Sequence, residues 1–406
     1  MLKVEYSFPS HKVTSYREIT TLYILLILAF IFWPLFGIFC SLCWALSANL
    51  KERVWPFMLL LSLYLCAINS TKVPESDMIR YIEMFSQAPN NGLEGTIKFW
   101  DSDTLKEIVY GTFVYLSYFV LDGCQGLFIA VVTFLTYFFL FRGIYLMDNE
   151  NKKSNYIFVA AAISIAFFSQ YFTLTAHLIR QLLATSIFLY AISLRINNQR
   201  IHWLWLAVAF SVHNAIGVLI ALSLIPYVRK RLNIITLFIL LGMGVLFGIF
   251  FSQIANFLER YIDSYALQRA SAAESASDGL EIDIIASIIV FVPLGIISLI
   301  NSFKRRPEIS PIYSNLTILL ILLVASLSFS PLLQYRFFFF AYPFIPFIIP
   351  HLFKNGTIVS KLYCTAFSCF FIARFFYTFE GLTWDFAPLE VIVFAPYWEL
   401  VQIQIQ

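Results

Sequence analysis

Residues 201–227 read IHWLWLAVAFSVHNAIGVLIALSLIPY, two apolar halves around a polar centre at Ser211, His213 and Asn214. The stretch has the composition of a membrane span, yet its interruption falls where a span would cross the hydrocarbon. Irregular backbone at that depth survives only where protein buries it or where it lines a water-filled cavity. The segment is therefore expected to be a re-entrant or broken hairpin turning near His213. Its second half-helix would point an anion-favouring N-terminus into such a cavity.

The remainder of the chain places this segment in a bilayer. Of 406 residues, 60% are hydrophobic and only 13% are charged, with 44 Phe and 22 Tyr. A soluble domain of this size cannot hide that much apolar surface. The expected fold class is all-α, a polytopic transmembrane helical bundle of about 10–12 spans. Apolar runs that can span occur at 21–48, 54–70, 124–147, 156–174, 178–194, 233–252, 284–302, 313–332, 337–353 and 361–378. Residues 108–121 are too short for a hydrocarbon core about 30 Å thick. The polar opening residues show no small-residue cleavage site, so no removable signal peptide is expected. Cys40 and Cys43 have CxxC spacing inside an apolar run and read as packed thiols. The whole chain, 1–406, reads as a single integral membrane domain.

Lys and Arg in short loops set the orientation. Fifteen of the 27 basic residues cluster at Lys51/Arg53, Arg142/Lys152/Lys153, Arg195/Arg200, Arg229–Arg231, Lys304–Arg306 and Lys354/Lys361. All six clusters fall on one side, the cytoplasm, if 108–121 dips into the outer face and 201–227 is a hairpin. The loops 71–107 and 253–283 and the tail 379–406 then face outward. So does the N-terminal tail, against the charge of Lys3, Lys12 and Arg17.

The candidate chemistry gathers at that outer face. His177, Arg180 and Gln181 are spaced i, i+3, i+4, which predicts one helical face. An ionised residue in mid-bilayer costs about 2.5–3.5 kcal/mol or more, so three polar groups on one face suggest a wet cavity. A single arginine there could equally snorkel to headgroups. The guanidinium fork matches a phosphate or diphosphate. Asp77, Tyr81 and Phe85 share another helical face with Arg80 beside them; Asp77 suits a base and Arg80 an anion contact. The same pattern suits an interfacial amphipathic helix. Histidine is the side chain ordinarily used for proton transfer near neutral pH, so His213 suits a general acid or base, while Asn214 suits a helix cap. Tyr335 and Arg336 open an aromatic helix that Pro343, Pro346 and Pro350 would bend. Arg260 lies in a basic, aromatic stretch of the second long loop. The five histidines are scattered, and no metal-ligand spacing, Walker loop or GxGxxG is present.

Taken together, STKVPESDMIRYIEMF (70–85), KEIVYGTFVYLSYFV (106–120), HLIRQLLATSIFLYAI (177–192), FSVHNAIGVLIAL (210–222) and YRFFFFAYPFI (335–345) resemble the EpsG/Wzy-type polysaccharide polymerases of bacterial O-antigen and exopolysaccharide clusters. Ile108 departs from the pattern, standing where the family often has proline. The resemblance implies a GT-C-like glycosyl polymerase in the bacterial inner membrane, without cofactor, metal or nucleic acid. It takes an undecaprenyl-diphosphate-linked glycan as both donor and acceptor, contacts membrane lipid, and usually works with a chain-length regulator. It further implies that Arg180 and Arg336, with Arg260, grip the donor diphosphate. Asp77 or His213 would deprotonate the acceptor, and Arg80, Tyr81, His177, Gln181, Asn214 and Tyr335 would position the substrates. The competing classes are a flippase or exporter of lipid-linked glycan and another lipid-phosphate-dependent glycosyltransferase or ligase. A flippase would be expected to show internal repeats and to carry charge through both halves of the bundle.

Overall fold

The computed structural model describes residues 16–47, 53–75, 77–100, 107–147, 155–230, 280–304, 309–327, 331–355, 358–377 and 386–402, with isolated positions between 233 and 253 and at 379. Among the described residues the chain is helical and holds no strand. The helices are α1 (Tyr16–Phe32), α2 (Pro34–Leu46), α3 (Val54–Ser70), α4 (Asp77–Ile97), α5 (Ile108–Val120), α6 (Gln125–Leu146), α7 (Asn155–Ala166), α8 (Ser169–His177) and α9 (Ile179–Ile196). They continue as α10 (His202–Val212), α11 (Gly217–Leu224), α12 (Leu280–Phe303), α13 (Pro311–Ser326), α14 (Pro331–Ala341), α15 (Ile345–Asn355), α16 (Ile358–Tyr377), α17 (Leu389–Phe394) and α18 (Tyr397–Gln402). This is the polytopic all-α membrane bundle that composition implies.

By length and composition, α6 (22 residues) and α9 (18 residues) can each cross a membrane alone. At 1.5 Å per residue they measure about 33 and 27 Å. The run expected as one span at 156–174 is instead the bent pair α7–α8, which turns by 61°. Phe168, in an extended conformation, makes the break.

A second departure lies at 21–48, which hydropathy reads as one span. The chain reverses at Trp33 and lays α2 back along α1. The Tyr23 and Trp44 rings meet at 5.3 Å. Gly37 presses on Phe30 so closely that a Cβ would lie 2.4 Å from the Phe30 Cα. Pro34, at the first position of α2, starts a helix at no hydrogen-bond cost. Consequently α1, with Arg17 in its first turn, begins at the same end of the bundle where α2 finishes.

That end carries the described basic residues Arg53, Arg142, Arg195, Arg200, Arg229, Lys230 and Lys304, and side chains tie its loops together. Asn155 Nδ2 donates to the Ala45 carbonyl at 2.8 Å, and Asn197 Nδ2 to Leu146 at 2.8 Å. Asn315 Nδ2 bonds the carbonyls of Val228 and Lys230 at 2.9 and 2.8 Å. The 201–227 segment starts and finishes here too. It leaves beside the α9 C-terminus, reverses at His213, and returns so that Arg195 Nη1 donates to the Ser223 carbonyl at 2.8 Å. The expected hairpin is present, with α10 lying on α9 and α11 on α13.

Between the ends, Asn69 of α3 joins three helices. Its Nδ2 reaches Thr175 Oγ1 at 2.7 Å, Thr133 Oγ1 at 3.1 Å and the Phe172 carbonyl at 3.4 Å. Interhelical hydrogen bonds in membranes average about 0.6 kcal/mol each, so this knot fixes register more than it adds stability. The expected bend in the aromatic helix is also present, as a 3₁₀ turn at Tyr342–Phe344 between α14 and α15. Pro343 supplies it, because proline removes a helix donor and fixes φ.

Candidate active site

At the end opposite those described basic residues, α9 and the hairpin vertex converge on one carboxylate. Glu107, just before α5, has left-handed backbone (φ 57°, ψ 43°), uncommon for a residue with a Cβ. The conformation turns its side chain inward, where it is 9% exposed. Arg180 Nη1, in the first turn of α9, makes a short ion pair with its Oε2. His213 Nδ1, at the hairpin vertex, donates to Oε1 at 2.7 Å. The backbone N–H of Asn214 reaches the same oxygen at 3.3 Å.

The guanidinium is framed by rings. It lies 4.2 Å from the Trp100 ring centre, 5.4 Å from Tyr81 and 6.0 Å from Tyr110. Its Nε donates to the Tyr81 hydroxyl at 3.4 Å. Cation–π contact of this kind substitutes for water around a dehydrated arginine. Burial alone would raise the Glu107 carboxyl, but the His213 hydrogen bond and the Arg180 charge outweigh it and hold it below the usual carboxylate range. The Tyr110 hydroxyl and the Trp100 Nε1 are buried, and neither meets a hydrogen-bond partner among the described residues.

Of the residues singled out in the sequence, Arg180, Tyr81, His213 and Asn214 come together here, Asn214 through its backbone. Gln181 stands one step aside, its Nε2 donating to the Arg336 carbonyl at 3.0 Å. That bond brings Arg336 to the site while its side chain is exposed. Asp77 opens α4 half-buried, Arg80 is exposed, and Tyr335 packs on Phe339 at 4.6 Å. Arg260 lies outside the described residues.

The expected single face of His177, Arg180 and Gln181 does not form, because the helix breaks between them. Leu178 (φ −105°, ψ 48°) ends α8 and starts α9. His177 therefore turns away and its Nε2 meets Lys72 Nζ. Both residues are buried, and the ammonium lies 5.6 Å from the Phe386 ring. Burial lowers the Lys72 amine to about 7, the Glu75 charge partly offsetting it. Two adjacent buried positive charges repel, so the pair carries at most one.

Sequence reasoning missed Glu107, Lys72, Trp100 and Tyr110. The available signal was the arginine itself, since a buried guanidinium requires a counter-charge. Glu107 directly precedes an apolar helix, where an acid ordinarily reads as a helix-dipole partner. Among the described residues no three His, Cys, Asp or Glu side chains group to hold a metal.

Neither a curated protein nor a solved structure matches the chain. The EpsG family model matches residues 54–397, a range that contains every residue of this cluster. The chain belongs to the EpsG family.

Proposed function

We propose that this protein polymerises glycan repeat units carried on undecaprenyl diphosphate, at the outer face of the bacterial inner membrane. Family membership supports a polysaccharide polymerase-like activity. The observation that carries the finer reading is the convergence of α4, the Glu107 turn, α9 and the second hairpin on one charged, aromatic cluster. It sits at the end of the bundle opposite the Lys/Arg clusters, which by the positive-inside rule mark the cytoplasm. A transferase working on the outer face draws on a lipid-borne donor that has crossed the membrane.

The chemistry of the cluster suits a glycan. Ring faces take the apolar side of a sugar, and the Tyr110 and Trp100 donors suit its hydroxyls. Diphosphate recognition falls most readily to Arg336 and Arg80, exposed at the same end with forks available for bidentate contact. Arg180 is compensated by Glu107, so a diphosphate there would have to displace a carboxylate. In the transfer, the acceptor hydroxyl oxygen bonds to the donor anomeric carbon. The bond from that carbon to the diphosphate oxygen breaks, its electron pair leaves with the lipid diphosphate, and a protein base takes the hydroxyl proton. Asp77 and His213 are the candidates for that base.

Deleting the gene in its host tests this reading. The polymerase reading expects accumulation of a lipid-linked single repeat unit and a cell surface capped with single repeats. Complete loss of surface glycan would assign the protein to translocation or ligation instead.

A further inference from the structure

We propose that Glu107 is a positioning carboxylate which makes His213 the proton acceptor of the transfer, and that Arg180 serves to hold Glu107. The inference rests on the polymerase reading and decides between its two candidate bases.

Both carboxylate oxygens are committed, Oε2 to Arg180 and Oε1 to His213 and the Asn214 N–H. With the Nδ1 hydrogen donated to Glu107, a neutral His213 keeps its lone pair on Nε2. The carboxylate also stabilises the imidazolium that forms when Nε2 takes a proton. The imidazole is the more open member of the chain, 19% exposed against 9% for Glu107 and 15% for Arg180. Substrate therefore meets the histidine first. A buried carboxylate without its arginine would drift toward the neutral form, so Arg180 acts by keeping Glu107 ionised. The left-handed backbone at Glu107 fits this reading, since such strain persists where the surrounding structure demands one orientation. No hydrogen bond joins Asp77 to this chain of groups among the described residues.

The reaction step is closed in atoms and charge. Nε2 accepts the hydroxyl proton as the oxygen attacks the anomeric carbon. The lipid diphosphate departs with the bonding pair, and the proton leaves the imidazolium for water or the departing phosphate.

The test uses full-length protein in proteoliposomes and the lipid-linked repeat unit extracted from the deletion strain. If no such lipid accumulates, the polymerase reading itself fails, separately from this inference. Glu107→Gln is the informative change. Its carbonyl goes to Arg180 and its amide faces Nδ1, forcing the hydrogen onto Nε2. At wild-type membrane abundance, E107Q is expected to lose turnover at least about 100-fold with an unchanged KM. E107D should recover part of that loss, and the E107Q/H213Q double variant should be no slower than H213Q alone. Arg180→Lys should lower kcat and leave the donor KM unmoved. E107Q retaining more than about a third of turnover, multiplying losses in the double variant, or a raised KM alone in R180K would overturn the assignment. Should E107Q fail to reach the membrane, H213Q decides: a loss of about 100-fold at constant KM supports the base role, and near-normal turnover refutes it.

Discussion

The protein uses one backbone device twice, to different ends. Trp33 (φ −151°, ψ 97°) and His213 (φ −153°, ψ 112°) each stand as a single extended residue between two short apolar helices. At Trp33 the legs close on each other and the vertex is sealed. Its Nε1 donates to the Val393 carbonyl at 2.8 Å, and Phe30 meets Tyr397 at 4.9 Å. At His213 the legs part after Gly217 passes Phe210, one running to α9 and the other to α13. The vertex is left half-open against a buried charge pair. A polar vertex between splayed legs makes a candidate site, and an aromatic vertex between closed legs makes an anchor.

The largest effect should come from exchanging those characters. Removing the His213 imidazole is expected to cost about 10²- to 10⁴-fold in turnover while moving thermal stability in detergent by less than about 1 kcal/mol. The next effect is the converse. Gly37→Ala drives a methyl into the Phe30 backbone, where nothing can yield, and should destabilise the folded protein by about 3 kcal/mol. Gly217→Ala meets only the Phe210 ring, at 3.0 Å, and should cost nearer 1 kcal/mol. Unfolding curves for the two variants measure the contrast, and equal losses would show that the legs are alike after all. Trp33→Phe, which deletes one hydrogen bond, should lower stability by about 1 kcal/mol and leave turnover per molecule intact.

A pH-dependent effect belongs to the second buried basic group. The Lys72 amine falls from 10.5 to about 7 on folding, chiefly through burial. Between those values the unfolded chain binds more protons than the folded one, so stability should rise as pH climbs through that window. The slope is at most about 1.4 kcal/mol per pH unit. Lys72→Met should flatten it in a pH series of melting temperatures. The Glu107 carboxyl, also lowered, gives a slope of the same sign in a more acid window: its contribution is present at neutral pH and lost only as acid protonates it through its lowered value.

How far these features could be read from sequence follows from their physics. His213 was readable because a polar pair in the middle of an apolar run has few permitted geometries. Arg180 was readable because a charge in such a helix must be compensated, but the sequence does not say by what. Several carboxylates lie in the same outer region, and Glu107 is selected only by the left-handed turn that aims it. The break at Leu178 has neither proline nor glycine to announce it, so spacing placed His177 on the wrong face. Residues 21–48 misled for another reason: hydropathy sums over a window and reads two half-helices back to back as one crossing. Pro34 and Gly37 carry the correct signal, one starting a helix and the other allowing backbones to touch. The reversal also brings the start of α1, with Arg17, to the end where the other basic clusters lie, which removes the conflict that a single span creates.

The most direct test of the account is the length distribution of surface glycan made by a deletion strain that carries H213Q at normal membrane abundance. The account expects single repeats only, with lipid-linked repeat units accumulating behind them. A wild-type ladder of chain lengths would mean that the second hairpin, like the first, is an anchor and that the polymerising chemistry lies elsewhere.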